Sequence, residues 1–175
     1  MQVPVNRPII NKKNIDAVVS TLNEGWVSSE GPVVGEFELT FAKTVKHKFG
    51  VAVSSGTAAL EISLKALGVS LGDEVILPTG TIISCAQAIT KLGATPVFVD
   101  LKFPEFAMDM NEVEKKITTN TKAILVVHLY GNASNSKKAR ALSDAHGLFL
   151  IEDCAQAIGL ECYDYICGSY ADVST

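Results

Sequence analysis

Residues 148–157 read LFLIEDCAQA, and this stretch decides the fold. Leu148, Phe149, Leu150 and Ile151 form an unbroken apolar run of strand length, closed by Glu152 and Asp153. A strand with one wet face alternates apolar and polar residues; a continuous run is expected where helices cover both faces of a parallel sheet. Runs of the same kind recur at Val51–Ser54, Glu74–Leu77, Pro96–Val99 and Ala123–His128, and Phe149–Glu152 joins them as a predicted strand.

Between these runs the apolar spacing turns helical. Asn11 to Asn23 places Ile15, Val18, Val19 and Leu22 on one side, and Gly25 follows as a stop. Pro32 suits a helix start, and Val34, Phe37, Phe41 and Val45 continue one face. Thr57–Leu67, Thr81–Lys91 and Ser134–Ala145 complete the helical segments, each closed by a nearby glycine. Asn111 and Glu114 have the spacing of a reciprocal cap. Strands alternating with helices predict an α/β fold of three layers, a mostly parallel sheet with helices on both faces.

Composition bounds the function. The 175 residues suit one domain or a large piece of one, and 47% hydrophobic against 19% charged residues can bury a sizeable core. Fifteen Lys+Arg against nineteen Asp+Glu leave a net charge of −4, with no electrostatic attraction for nucleic acid or an anionic membrane. No segment approaches eighteen consecutive apolar residues, and the first ten have neither a charged leader region nor a long apolar one. The cysteines at 85, 154, 162 and 167 form no CxxC, which argues against zinc and for a reducing compartment. A soluble, cytoplasmic protein without a metal is the expectation.

Ser54-Ser55-Gly56-Thr57-Ala58-Ala59, Pro78-Thr79-Gly80-Thr81 and Glu152-Asp153-Cys154-Ala155-Gln156-Ala157 each follow a predicted strand. In open parallel sheets, ligands bind at that end of the strands. In the first stretch, small residues lead directly into a helix whose free N–H groups suit a phosphate. An N-cap with a turn glycine accounts for the same spacing. Asp153 ends a very apolar strand, so its carboxylate needs a cation or a hydrogen-bond donor from elsewhere; a cap of the next turn is the alternative. His128, Tyr130 and Trp26 read as packing residues before catalytic ones.

Seven stretches occur in order: GWVSSEGP, SGTAAL, GDEVILPTGTIIS, GATPVFVD, TKAILVVHLYG, HGLFLIEDCAQAIG and GSYADVST. Together they resemble the DegT/DnrJ/EryC1/StrS family of nucleotide-sugar aminotransferases, from about residue 7 to the last residue, with an opening and an ending most like the perosamine-synthase branch. The resemblance implies the large domain of a fold-type-I enzyme that uses pyridoxal 5′-phosphate (PLP), with residues 1–175 as its N-terminal portion and no small C-terminal domain. It implies that Gly56, Thr57 and Ala58 bind the cofactor phosphate and that Asp153 pairs with the pyridine nitrogen. It implies further that Gln156 lies near the ring's phenolic oxygen and that Ile82 covers a ring face, where an aromatic is usual. A carboxylate about 4 Å from a protonated nitrogen, at an effective dielectric near 20, contributes about 4 kcal/mol of attraction.

The resemblance also implies amino transfer from glutamate to a 4-keto nucleotide sugar, in deoxyamino-sugar or polysaccharide biosynthesis, by a homodimer. The Schiff-base lysine follows an FSFxxxK-like run in this family, so it is expected beyond Thr175, and the chain alone is expected to be inactive. A sugar dehydratase of the same family, with histidine in place of that lysine, and an inactive truncated remnant are the alternatives.

Overall fold

A computed structural model describes residues 7–162 and 164–175. The expectation about a leader therefore falls partly on residues 1–6, outside the described residues. In chain order the helices are α1 (Lys12–Asn23), α2 (Pro32–Thr44), α3 (Gly56–Ala66), α4 (Ile83–Lys91), α5 (Met110–Lys115) and α6 (Ser136–His146). The strands of the main sheet are β1 (Glu74–Pro78), β2 (Thr95–Val99), β5 (Thr121–Val127), β6 (Phe149–Asp153) and β9 (Val173–Ser174). Two short hairpins pair β3 (Leu101–Lys102) with β4 (Ala107–Met108), and β7 (Glu161–Cys162) with β8 (Tyr165–Ile166).

The main sheet runs β2-β1-β5-β6-β9 with every pairing parallel. Side chains alternate across a strand, so each strand divides its apolar run between two layers. Val75, Leu77, Ala123, Leu125, Val127 and Ile151 pack with Leu60 and Leu64 of α3 and with Ala88 and Ile89 of α4. Ile76, Val99, Ile124, Val126 and Leu150 pack on the opposite face with Val113 of α5 and with Ala139 and Leu142 of α6. Burial on both faces explains why these strands read as continuous apolar runs, and the three-layer expectation holds.

The local chemistry explains the helix ends. Asn11 and Asn14 cap α1 reciprocally, each side chain accepting the other's backbone N–H. At α5 the expected Asn111–Glu114 cap is replaced by Asp109, whose carboxylate accepts the Asn111 N–H at 2.9 Å; being one residue before the helix, it reaches a free N–H that Asn111, already helical, cannot. Asn135 caps α6 in the same way, so that helix starts at Ser136 and not Ser134. Helix α4 starts at Ile83 because Thr81 and Ile82 stay outside it, Ile82 in an extended conformation.

The predicted strand Val51–Ser54 does not form. A strand needs a neighbour to take its N–H and C=O groups, and no described strand lies beside this segment. Ala52 instead gives its N–H to the Glu38 carboxylate at 2.7 Å, and Val51 is 76% exposed. The N-terminal segment as a whole is open. Helix α1 has no buried residue, and Ile15, Val18, Val19 and Leu22 are about half exposed or more. Trp26, expected to pack, is 39% exposed and lies against Gly31, where an added Cβ would come within 3.2 Å of its own. No helix among the described residues is long and apolar enough to cross a membrane.

Candidate functional site

Parallel pairing puts the ends of β1, β5 and β6 on one edge of the sheet, with Val127 in register with Asp153. Alternation then sends the two acids that end β6 to opposite faces. Asp153 shares the side of Ile151 and faces α3 and α4; Glu152 shares the side of Leu150 and faces α6.

Asp153 is 5% exposed. Its Oδ1 accepts the Ala155 N–H at 3.0 Å and its Oδ2 accepts the Cys85 thiol of α4 at 3.3 Å. The turn-capping alternative is thus realised, but it satisfies only one of the two oxygens. None of the ion pairs among the described residues includes Asp153. A carboxylate this buried with only neutral donors carries a desolvation cost that a cation would relieve. Beside Cys85, the Thr81 hydroxyl is buried without a hydrogen-bond partner.

Glu152 is held quite differently. Its Oε2 accepts three hydrogen bonds: from His128 Nε2 at 2.8 Å, from Ser136 Oγ at 2.7 Å and from the Gly168 N–H at 2.9 Å. His128 Nδ1 accepts the Ser134 N–H at 3.0 Å, which places the ring proton on Nε2, toward Glu152. Burial works to raise the Glu152 carboxyl, but its donors from His128, Ser136 and Gly168 outweigh it and hold the group below its ordinary value. The Gly168 carbonyl in turn lies 2.8 Å from His47 Nε2, tying the end of α2 to the same cluster. Ligating atoms of His128, Glu152 and Cys154 lie within 4.8 Å of one another, yet both ring nitrogens of His128 are already occupied. His128 is therefore the packing residue that its strand-end position implied.

The other expected positions fall as follows. Gly56, Thr57 and Ala58 form the first turn of α3, the first two exposed and Ala58 half-buried. Ser55 caps this turn, its hydroxyl accepting the Ala58 N–H at 3.2 Å, so Ala58 spends internally a donor that Gly56 and Thr57 keep free among the described residues. A Cβ on Gly56 would meet nothing within 4 Å, which leaves the approach to the helix end open. Gln156 Oε1 accepts the Tyr130 N–H at 2.8 Å, which turns the amide nitrogen outward. Ile82, 51% exposed, precedes α4. Gly80 is a packing glycine: a Cβ there would meet Leu101 Cδ1 at 2.3 Å. A cavity of about 490 Å³ opens elsewhere, between the β3–β4 hairpin and the start of α6, and none of the expected site residues lines it.

Sequence reasoning missed Cys85. Its signal was available, a small polarisable residue in the first turn of a helix that follows β1, but only the sheet order, with β5 between β1 and β6, shows that α4 covers Asp153. The His128–Glu152 pair was missed for the same reason, since strand order alone brings positions 24 apart into contact.

The family model described as the DegT/DnrJ/EryC1/StrS aminotransferase family matches residues 8–175. The chain is 40% identical over 173 residues to the GDP-perosamine synthase of Vibrio cholerae, covering 99% of this chain and 47% of that protein. Among solved structures, the aminotransferase TlmJ from Streptoalloteichus hindustanus superposes with a TM-score of 0.91 at 32% identity, over 98% of this chain and 47% of that one. NtdA from Bacillus subtilis, solved with its cofactor PMP bound, superposes with a TM-score of 0.85 at 36% identity, over 94% of this chain and 38% of that one. The chain spans about half the length, or less, of these relatives.

Proposed function

The chain belongs to the DegT/DnrJ/EryC1/StrS aminotransferase family, and from that premise we propose that it forms the N-terminal portion of the large domain of a PLP-dependent enzyme that transfers an amino group, from glutamate, onto a 4-keto nucleotide sugar. The observation that carries this reading is Asp153: a carboxylate 5% exposed, at the ligand-binding edge of a parallel sheet, with a thiol and an amide as its donors and no cation among its partners in the described residues. That environment fits a protonated ring nitrogen.

When bound, PLP supplies an electron sink for the carbon that loses or gains the amine. Asp153 holds a proton on the ring nitrogen and so keeps that sink strong. The free N–H groups of Gly56 and Thr57, with the Thr57 hydroxyl and the positive end of α3, hold the phosphate. Ala58 contributes through the shape of the turn, because Ser55 already uses its N–H. Ile82 covers one face of the ring by dispersion alone. Gln156, oriented by Tyr130, offers its amide nitrogen to the ring's phenolic oxygen. The bare apolar side of α1 supports a homodimer, in which a second subunit covers it.

In the full-length protein, Asp153→Asn should abolish amine transfer from glutamate while leaving the fold intact, since an amide cannot hold a proton on the ring nitrogen. Turnover like that of the wild type would remove the role. Unfolding of the variant would assign Asp153 to turn capping instead.

A further inference from the structure

Cys85 touches the one carboxylate on which the proposed chemistry depends. It lies in the first turn of α4, is fully buried, and aims its thiol at Asp153 Oδ2 across 3.3 Å. It belongs to the apolar layer of Leu60, Leu64, Ile89 and Leu125, where the polar groups beside it are the Asp153 carboxylate and the Thr81 hydroxyl, and the carboxylate is the one to which its thiol donates. Burial pushes the thiol up to about 12, helped by the adjacent Asp153 charge, so it stays protonated and acts as a donor across the working pH range.

The identity of the donor matters as well as its place. A thiol is a weak donor beside a hydroxyl or an amide. It restrains the direction of Oδ2 while withdrawing little of the carboxylate's charge. A serine at the same place would bind the oxygen more firmly and compete with an incoming cation; an alanine would leave the oxygen unrestrained and undiminished in charge. We infer that Cys85 is a positioning residue that orients Asp153 toward the cofactor's ring nitrogen and leaves the carboxylate's charge available to it. This rests on the reading that Asp153 faces that nitrogen. The titratable groups that feel Asp153 are Cys85 from α4 and Cys154 from the end of its own strand, and burial keeps both thiols protonated.

The test uses the full-length holoenzyme loaded with PLP labelled with nitrogen-15 in the ring, whose chemical shift reports protonation of the ring nitrogen. The pH midpoint of that signal should fall by about half a pH unit in Cys85→Ala, where nothing restrains Oδ2, and by less in Cys85→Ser, where the hydroxyl keeps the restraint. Simple damage to packing would make the polar serine at least as harmful as the alanine. An unchanged midpoint in Cys85→Ala, or one that falls as far in Cys85→Ser, would overturn the positioning role. Asp153→Asn separates the two levels: if it leaves PLP affinity and the midpoint unchanged, the parent reading fails; if it lowers both while the Cys85 variants match the wild type, only the role of Cys85 fails. A second check reads the thiol itself. Of the S–H stretching bands of the three buried cysteines, the one that Cys85→Ala removes should shift in the wild type when PLP is added to the apoprotein, and a band that does not move contradicts the inference.

Discussion

The two faces of the sheet treat a buried carboxylate in opposite ways. On the α6 side, Glu152 is surrounded: His128, Ser136 and Gly168 all donate to one oxygen, and His47 braces Gly168 from behind. On the side of α3 and α4, its neighbour Asp153 receives one thiol and one amide and has no cationic partner among the described residues. Both acids are 5% exposed or less. Burial alone therefore does not distinguish a structural acid from a functional one, and neither does full satisfaction, since the second Glu152 oxygen accepts no hydrogen bond among the described residues; the number of elements whose donors converge on the acid does. Three donors on one oxygen lock β5, β6, α6 and the turn at Gly168 together, whereas Asp153, with one neutral donor on each oxygen, stays able to take a cationic partner.

The difference is sharpest in stability. Glu152→Gln should destabilise the protein by about 2–3 kcal/mol, because a neutral amide oxygen accepts the three donors more weakly than the carboxylate does and the amide nitrogen, in the place of the unpartnered second oxygen, is buried without an acceptor. Chemical denaturation of the two proteins at neutral pH measures it, and a loss under 1 kcal/mol would place Glu152 among the dispensable acids. The pH dependence follows from the same cluster. The Glu152 carboxyl is held below its ordinary value in the folded state, so its contribution is present above the ordinary carboxyl range, about 4.3, and is lost as pH falls through the folded value. Melting temperature should drop as pH is taken below about 4, and the Gln variant should drop less steeply; parallel curves would count against the cluster.

Smaller effects are expected on the other face, and on ligand binding before stability. Thr57→Val should weaken PLP binding by the worth of one charge-assisted hydrogen bond, about 1.5–3 kcal/mol, read by absorbance titration of the cofactor. An unchanged dissociation constant would remove Thr57 from the phosphate turn. Ser55→Ala should lower stability by only about 1 kcal/mol, the usual cost of losing an N-cap, here the acceptor of the Ala58 N–H. A thermal melt would show it, and no loss at all would mean that water caps α3 equally well.

Much of this architecture was legible in the sequence for one reason: residues buried on both faces leave continuous apolar runs, and β1, β5 and β6 carry them, while β2 at the sheet edge keeps an apolar run with Phe98 exposed. Val51–Ser54 has the same appearance and forms no strand, because pairing depends on a neighbour that local sequence cannot supply. Asp153 was legible as a buried acid at a strand end. Its donor Cys85 was not, since 68 residues separate the two and only the sheet order brings them together. Helix α1 shows a third limit: its amphipathic period was readable, but the period does not say what covers Ile15, Val18 and Leu22, which are exposed here. The α5 cap was displaced by two residues for a simpler reason, that Asp109 and Asn111 both have capping side chains and only one precedes the first helical turn.

The central claim is that Asp153 is held by neutral donors alone among the described residues so that a cationic ring can be its charged partner. Its most direct test is a paired measurement on Asp153→Asn: the stability of the apoprotein by denaturant unfolding, and its affinity for PLP by titration. Removing a buried charge that has no cation should leave the apoprotein as stable as the wild type or more so, while PLP affinity falls by at least about tenfold, the worth of one buried charge-assisted contact. An Asn variant that binds PLP as the wild type does, or an apoprotein that loses stability in the way expected for Glu152→Gln, would contradict it.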